Sequence, residues 1–468
     1  MRIRLSIGIS LVSWCVGAFA QAQTDRTTLV AFVHATVIDG TGVAARPNQT
    51  VLVSGDRITA MGPSSKVAIP RGAYTIDATG RFLIPGLWDA HVHTRYEGID
   101  HFRLLIANGI TSARNMSAPW EYLPEILRLR EQIAKGDRVG PRLLTAGPVL
   151  DGPGARRSTN AVVNNADEAR QAVRRVKSEG ADFVKVYNGL SRESFFAIAA
   201  EAKAQGLPFV GHVPFAIKAD EASDAGQLSI EHVDAIVRAA STNAEEIARQ
   251  LQDRVRASVA SVDVAKLRVL AERLRKNRTS IVPTLSNYST ELPLFEWLNE
   301  HSIAAGADRF RYVPAGYVEG WKQVQPRIPL EDLRRLFEQC RIAVRELDKA
   351  GVTILAGTDV GQPFLVPGFS LHDELSMLVK AGLSEMQTLE TATRNPARTF
   401  NLTDQGTIET GMRADLVLHD SNPLENINNT RKIRTVVAAG RVFERNELDA
   451  MLSDVQRAAS QWTGTPTR

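Results

Sequence analysis

Eight times between residues 82 and 385 a short apolar run gives way to an amphipathic segment, and this alternation limits the fold more than any other feature. "FLIPGLWDAHVH" precedes "GIDHFRLLIANG", "ITSARNM" precedes "EYLPEILRLREQIAKG", and "RLLTAGPVL" precedes "DEARQAVRRVKSEG". "DFVKVYNG", "PFVGHVP" and "VTILAGTDVG" are each followed by one helical segment, whereas "LSIEHVD" and "TSIVPTLSN" are followed by charged insertions at about 236–278 and 288–345. Eight strand-then-helix units close most economically as a parallel (β/α)8 barrel, the TIM barrel, here assigned to residues 81–400. The flanks have another texture. Residues 23–80 and 401–446 carry short β-branched runs bounded by Gly, Asp and Pro, which predict one small β-sandwich satellite domain built from both chain ends. Residues 447–468 are left as a C-terminal tail. The two insertions suit a lid or a subunit contact, which leaves a homo-oligomer open.

At the N-terminus, Arg2 and Arg4 precede a short apolar stretch that ends in small residues, the pattern of a secretory signal peptide over residues 1–22. Cleavage after Ala20 or Ala22 fits the small-x-small rule, and the expected location is secreted or periplasmic. The apolar stretch is too short to span a bilayer comfortably, and Trp14 stands where a lipoprotein signal needs a small residue before Cys15, so no stable membrane anchor is expected. Loss of Arg2 and Arg4 takes the formal charge from +4 to +2, which gives no reason to expect a nucleic-acid partner. Cys15 leaves with the signal. Cys340 then has no intramolecular partner and reads as a small core residue on a helix.

In a (β/α)8 barrel the active site lies at the C-terminal ends of the strands, and the unusual polar residues of this chain fall there. His91 and His93 end strand one; residues two apart on a strand face the same side, so both imidazoles can meet one ion. Lys185 ends strand four, His212 strand five, His232 strand six and Asp359 strand eight. Singly, each has a plain reading: a hydrogen-bonded core histidine, a lysine reaching for solvent, a helix cap. Together, six polar groups at one end of five strands have no packing advantage and cost several kcal/mol if left unpaired, a cost a metal centre removes. His34, His101, His301 and His419 lie away from this end. His372, just after strand eight, is placed to act near the mouth or to start a helix.

The combination of "GLWDAHVH", "DFVKVY", "GHV", "EHV" and "LAGTD", with the closing run "TATRNPARTFNLTDQGTIETGMRADLVLHDSNPL", resembles the amidohydrolase superfamily. The likeness is to its binuclear branch, related to imidazolonepropionases and Xaa-Pro dipeptidases, and it covers nearly the whole mature chain. It implies two divalent ions, for which imidazole and carboxylate ligands suit zinc best. By the same resemblance His91, His93 and Asp359 hold the first ion and His212 and His232 the second, with Lys185 bridging them as a carbamate. Water shared by the ions would be delivered as hydroxide, Asp359 would carry its proton to the leaving nitrogen, and Tyr187 is a candidate donor to the oxyanion. The implied substrate is a small molecule with an amide-type C–N bond: a dipeptide, an N-acyl amino acid or a cyclic amide. Tyr187, Arg114, Arg156, Arg157 and Lys218 are candidate contacts to a substrate carboxylate.

"KVYNGLSRE" and "GHVPF" depart from the stretches usual in the peptidase members, and Asn115 stands where relatives commonly carry Asp, so the roof over the substrate differs. Two alternatives remain open. One is a mononuclear deaminase of the same superfamily, although Phe215 occupies the position where deaminase branches usually place Glu. The other is a catalytically inactive metal- or solute-binding protein.

Overall fold

The computed structural model describes residues 29–94, 98–155, 160–242, 261–290, 296, 307–324 and 329–464. Residues 1–22, expected above to be a signal peptide, together with Arg156, Arg157, His301 and parts of both insertions, lie outside them. Among the described residues five strands come first: β1 Val30–Val37, β2 Arg46–Ser54, β3 Arg57–Pro63, β4 Tyr74–Asp77 and β5 Phe82–Pro85. The barrel strands follow as β6 Leu87–Val92, β7 Ile110–Asn115, β8 Arg142–Asp151, the short β9 Ala161–Val162, β10 Phe183–Val186, β11 Phe209–Gly211, β12 Ser229–Glu231 and β13 Ser280–Val282. The last three are β14 Leu416–His419, β15 Ile433–Ala438 and β16 Arg441–Glu444.

β6, β7, β8, β10, β11, β12 and β13 pair in that order, each parallel to the next, while β9 adds to the end of β8. The eighth position is filled by the extended segment 352–360. It bridges Ile354 to Ile281 on β13 and Val360 to Val92 on β6. Backbone hydrogen bonds on both sides close the ring: Leu355 N donates to Ile281 O at 2.9 Å, Ala90 N to Ala356 O at 2.9 Å and Asp359 N to His91 O at 2.8 Å. Every residue of β6 and β7 is buried, as expected where helices cover the outside and side chains fill the inside. The helices are built for that covering. Ala166–Ser178, for example, buries Ala169, Val173 and Val176 and is capped by Asn165, whose side chain accepts from Asp167 N and Glu168 N.

Both chain ends form one continuous satellite sheet, ordered β16-β15-β14-β5-β1-β2-β3, with β4 on the free half of the edge of β1 that also carries β5. It closes around its own core of Phe32, Val51, Leu83, Leu416, Leu418 and Val437. β5 pairs antiparallel with β14 and runs through Gly86 directly into β6, so the last sheet strands are anchored beside the first barrel strand. The segment after β16 is a helix, Arg445–Gln461, which buries Leu448, Met451 and Val455. Trp462 stacks on Tyr317, ring centroids 5.5 Å apart, and ties this helix to the second insertion. Of the insertions, the described residues include helices Asp234–Ala239, Val264–Asn277, Ala315–Lys322 and Leu330–Lys349. Among the described residues no helix is long and apolar enough to cross a membrane.

Candidate metal centre

One oxygen of Asp359 faces two rings at once. Its Oδ1 lies 3.2 Å from His91 Nε2 and 3.1 Å from His93 Nε2, and one donor atom from each of the three residues falls within 4.8 Å of the others. The rings of His91 and His232 are 5.0 Å apart between centroids, and those of His232 and His212 are 4.7 Å apart. Lys185 is buried on β10, where it pairs with Val210 of β11, two residues before His212. The structure therefore brings together His91, His93, His212, His232 and Asp359, with Lys185 buried on the adjoining strand. Tyr187 lies beside them, its ring 4.2 Å from that of His212.

Two backbone features make this convergence possible. Alternation on β12 would send only one of Glu231 and His232 inward, but His232 has φ 68° and turns its ring toward His91 as well. Asp359 has φ 60°. Left-handed backbone at non-glycine residues is unfavourable and is sustained here by the surrounding ladder. The second feature is Gly357. A Cβ there would come within 2.6 Å of Val282 Cγ1 and 2.9 Å of His91 N, so only glycine lets the eighth strand approach both neighbours.

Each of three imidazoles is held by its Nδ1. His91 Nδ1 donates to Glu231 Oε2 at 2.9 Å, His212 Nδ1 to Asn188 Oδ1 at 3.0 Å, and His232 Nδ1 lies 2.7 Å from Thr284 Oγ1. A carboxylate and an amide oxygen can only accept, so His91 and His212 carry the Nδ1 proton and keep the Nε2 lone pair for a cation. Burial holds the protonation of His93, His212 and His232 below the usual imidazole range, His232 at about 4, with the Lys185 charge acting in the same direction. Burial pushes Asp359 the other way, but the close contacts with His91 and His93 outweigh it and hold the carboxyl well below its usual range. Neutral imidazoles beside an ionised carboxylate are the protonation states a divalent ion requires, so the residues present fit a metal.

Beneath His91 the barrel interior carries a buried ion pair that the sequence pattern does not reveal. Arg114 Nη2 donates to Glu231 Oε1 and Oε2 at 2.7 and 2.8 Å, Arg114 Nη1 to Ser229 Oγ at 2.9 Å, and Arg114 Nε to Ala90 O at 2.6 Å. Both side chains are fully buried. Arg114 is thus not the substrate contact expected: alternation along β7 points it into the lumen, where it packs against Phe183 and Phe400. Burial pushes the Glu231 carboxyl up, but the Arg114 charge and the His91 hydrogen bond outweigh this and keep it ionised.

His372 is buried on helix Phe369–Ala381 with Nδ1 2.9 Å from Thr430 Oγ1 and Nε2 3.1 Å from Asn108 O, so its two ring nitrogens are used in packing the satellite against the barrel. Lys218 is an exposed helix-cap residue. Asn115 is fully buried and accepts from Thr94 N and Oγ1, both at 3.3 Å, which holds the residue next to His93. His34 and His101 bond Asn48 and the Ile99 carbonyl, and His419 is buried in the satellite sheet. Cys340 is buried against Tyr288 Oη.

Asp89 and Thr358 clip the first and eighth strands together: Thr358 N and Oγ1 donate to the two Asp89 oxygens at 3.1 and 2.7 Å. Nearby, Glu374 is fully buried, and burial raises its carboxyl to about 8. The sign follows. Since the folded value lies above the usual 4.5, the stability linked to this proton is fully present below pH 4.5 and is lost as pH rises through about 8. Glu374→Gln removes that dependence. Thermal melts from pH 5 to 9 should show the variant gaining on the wild type as pH rises, by on the order of a few kcal/mol at the alkaline end; parallel curves would show that Glu374 is ionised in the fold.

Comparison with known proteins follows the same lines. The family model for the amidohydrolase family matches residues 82–443. A solved structure from Bifidobacterium longum, assigned as a prolidase, is 25% identical, with a TM-score of 0.69 over 92% of this chain and 99% of that one. Bottromycin amidohydrolase is similar in fold at 24% identity and a TM-score of 0.73, covering 93% of this chain and 91% of its own. A Xaa-Pro dipeptidase with bound methionine shares the fold at 20% identity and a TM-score of 0.65, over 89% of this chain and 100% of that one. An adenine deaminase from Mesorhizobium japonicum is 35% identical over 79 residues, a match that spans 16% of this chain and only 12% of the deaminase. The match of the family model over most of the chain, together with the strand-end residues it encloses, shows that this chain belongs to the amidohydrolase family.

Proposed function

We propose that the protein is an exported, binuclear metal-dependent hydrolase of amide-type C–N bonds in a small molecule: a dipeptide, an N-acyl amino acid or a cyclic amide. The observation that carries this reading is the convergence of His91 and His93 Nε2 on one oxygen of Asp359, with His212 and His232 adjoining. His91, His93 and Asp359 would hold one divalent ion, zinc being best suited, and His212 and His232 a second. Lys185, as a carbamate, would lie between them. As encoded, the six residues offer one carboxylate to two dications, and a carbamate supplies a second anionic group with two oxygens. When bound, the ions supply an acidified water and polarise the scissile carbonyl.

The chain's own residues do the rest. Asp359, ionised and held by two histidines, accepts the proton of the attacking water and passes it to the leaving nitrogen. Glu231 holds His91 in the tautomer that presents Nε2, and Asn188 does the same for His212. Tyr187, at the mouth against His212, is the donor assigned to the developing oxyanion. The prolidase-type neighbours support a substrate with a peptide-like bond, and the N-terminal pattern of residues 1–22 supports contact with it outside the cytoplasm.

A chelator should abolish hydrolysis by the purified protein, with zinc, manganese or cobalt restoring it, in a screen of dipeptides, N-acyl amino acids and cyclic amides read by amine release. Full activity in metal-free protein would remove the mechanism. The short adenine deaminase match favours a second reading, deamination at one ion. Phe215, half out in solvent beyond His212, offers no carboxyl for the proton shuttle that reaction needs. Ammonia release from aminopurines without amino-acid release from peptides would decide for it.

A further inference from the structure

The reading above makes Asp359 both ligand and base, and what aims its carboxylate lies on a different strand. Directly after β13 the backbone turns at Thr284, φ 49°, into the short 3-10 turn Leu285–Thr290. Two side chains of this stretch reach two separate strand ends. Thr284 Oγ1 lies 2.7 Å from His232 Nδ1, and Asn287 Nδ2 donates to Asp359 Oδ2 at 3.0 Å. The two Asp359 oxygens therefore have different partners: Oδ2 is taken by an amide, and Oδ1 is left to face His91 and His93.

The turn is in turn held from behind. Ser286 N donates to Glu374 Oε2 at 2.7 Å, and Ser286 Oγ to the Thr358 carbonyl at 3.3 Å. Glu374 sits on helix Phe369–Ala381, fully buried, and its Oε1 has no hydrogen-bond partner among the described residues. A buried acid with an orphaned oxygen has no packing advantage over leucine. Its one evident contribution is to fix the backbone that carries Asn287, at a place where the left-handed Thr284 needs outside support.

We propose that Asn287 is a positioning residue that sets which Asp359 oxygen faces the metal, and that Glu374 acts through Ser286 to hold Asn287 in place. This rests on the reading of Asp359 as ligand and base. Three full-length variants test it: Asn287→Ala, Glu374→Gln and Glu374→Leu, with the Asn287→Ala/Glu374→Leu double variant. Zinc affinity is measured by competition with a chromophoric chelator, kcat and KM are measured separately, and each variant is crystallised without metal. Asn287→Ala should weaken the tighter zinc step about 10- to 100-fold and lower kcat more than it changes KM. Glu374→Gln keeps an oxygen for Ser286 N and should match the wild type. Glu374→Leu should reproduce Asn287→Ala, and the double variant should be no worse than either single one, because both changes act on one element.

Multiplying losses in the double variant, or wild-type zinc affinity in Asn287→Ala, would overturn the proposal. Should Glu374→Leu not fold, the comparison of Asn287→Ala with Glu374→Gln decides. A wild-type chain that takes up no zinc would sink the hydrolase reading instead. The metal-free crystals then judge the pin alone: the Asp359 carboxylate rotates in Asn287→Ala if the proposal holds, and keeps its orientation if it fails.

Discussion

Asp359→Asn is expected to lower kcat/KM for amide hydrolysis by about 10²- to 10⁴-fold, the usual contribution of a positioned acid-base group. The substitution keeps the size of the side chain and an oxygen for one ring, but an amide is a far weaker base than the carboxylate that His91 and His93 hold ionised. Loss of the negative charge should also weaken the proposed first metal position, so part of the effect should be recovered by raising the zinc concentration and part should not. The unrecovered part measures the proton transfer. Steady-state kinetics at saturating and at limiting zinc separate the two, and a variant restored fully by metal would limit Asp359 to the role of ligand.

Arg114→Met is expected to destabilise the fold by about 3–5 kcal/mol, since it strands the Glu231 charge inside the barrel. Glu231→Leu alone strands Arg114 and should cost a similar amount. In the double variant both charges leave together, and chemical denaturation should show most of the stability regained, because replacing a buried ion pair by apolar groups is often neutral. Metal binding should not return with it. His91 would lack the acceptor that fixes its tautomer, and zinc affinity should stay about 10- to 100-fold below the wild type. Stability and metal affinity recovering together would mean that Glu231 serves the fold alone.

The positions of the six strand-end residues were legible in the sequence because a single rule, active sites at the C-terminal ends of barrel strands, sorts them from the remaining histidines. His91 and His93 also follow plain strand alternation. The partners that orient them were not legible. Glu231 precedes His232, and alternation assigns those two to opposite faces; only the left-handed backbone at His232 lets both turn inward. Arg114 looks like one more cation near a strand end until the register of β7 places it in the lumen under Glu231. Asn188, Thr284 and Asn287 are ordinary loop residues by composition, and each acquires its role from a contact with a distant strand. The eighth strand was legible as "VTILAGTD", yet its need for glycine at 357 depends on how closely three strands approach one another. The helix Arg445–Gln461 lay in what the β-rich texture left as a tail, because its packing surface belongs to the barrel and to the second insertion.

The proposed function has one premise, that side chains from five strands share a pair of cations. Elemental analysis of the purified chain, expressed with added zinc and freed of loosely held metal, measures that directly. Two ions per wild-type chain, falling to one or none in Lys185→Ala, is the expected result; a wild-type chain that hydrolyses its substrate while holding no metal contradicts it.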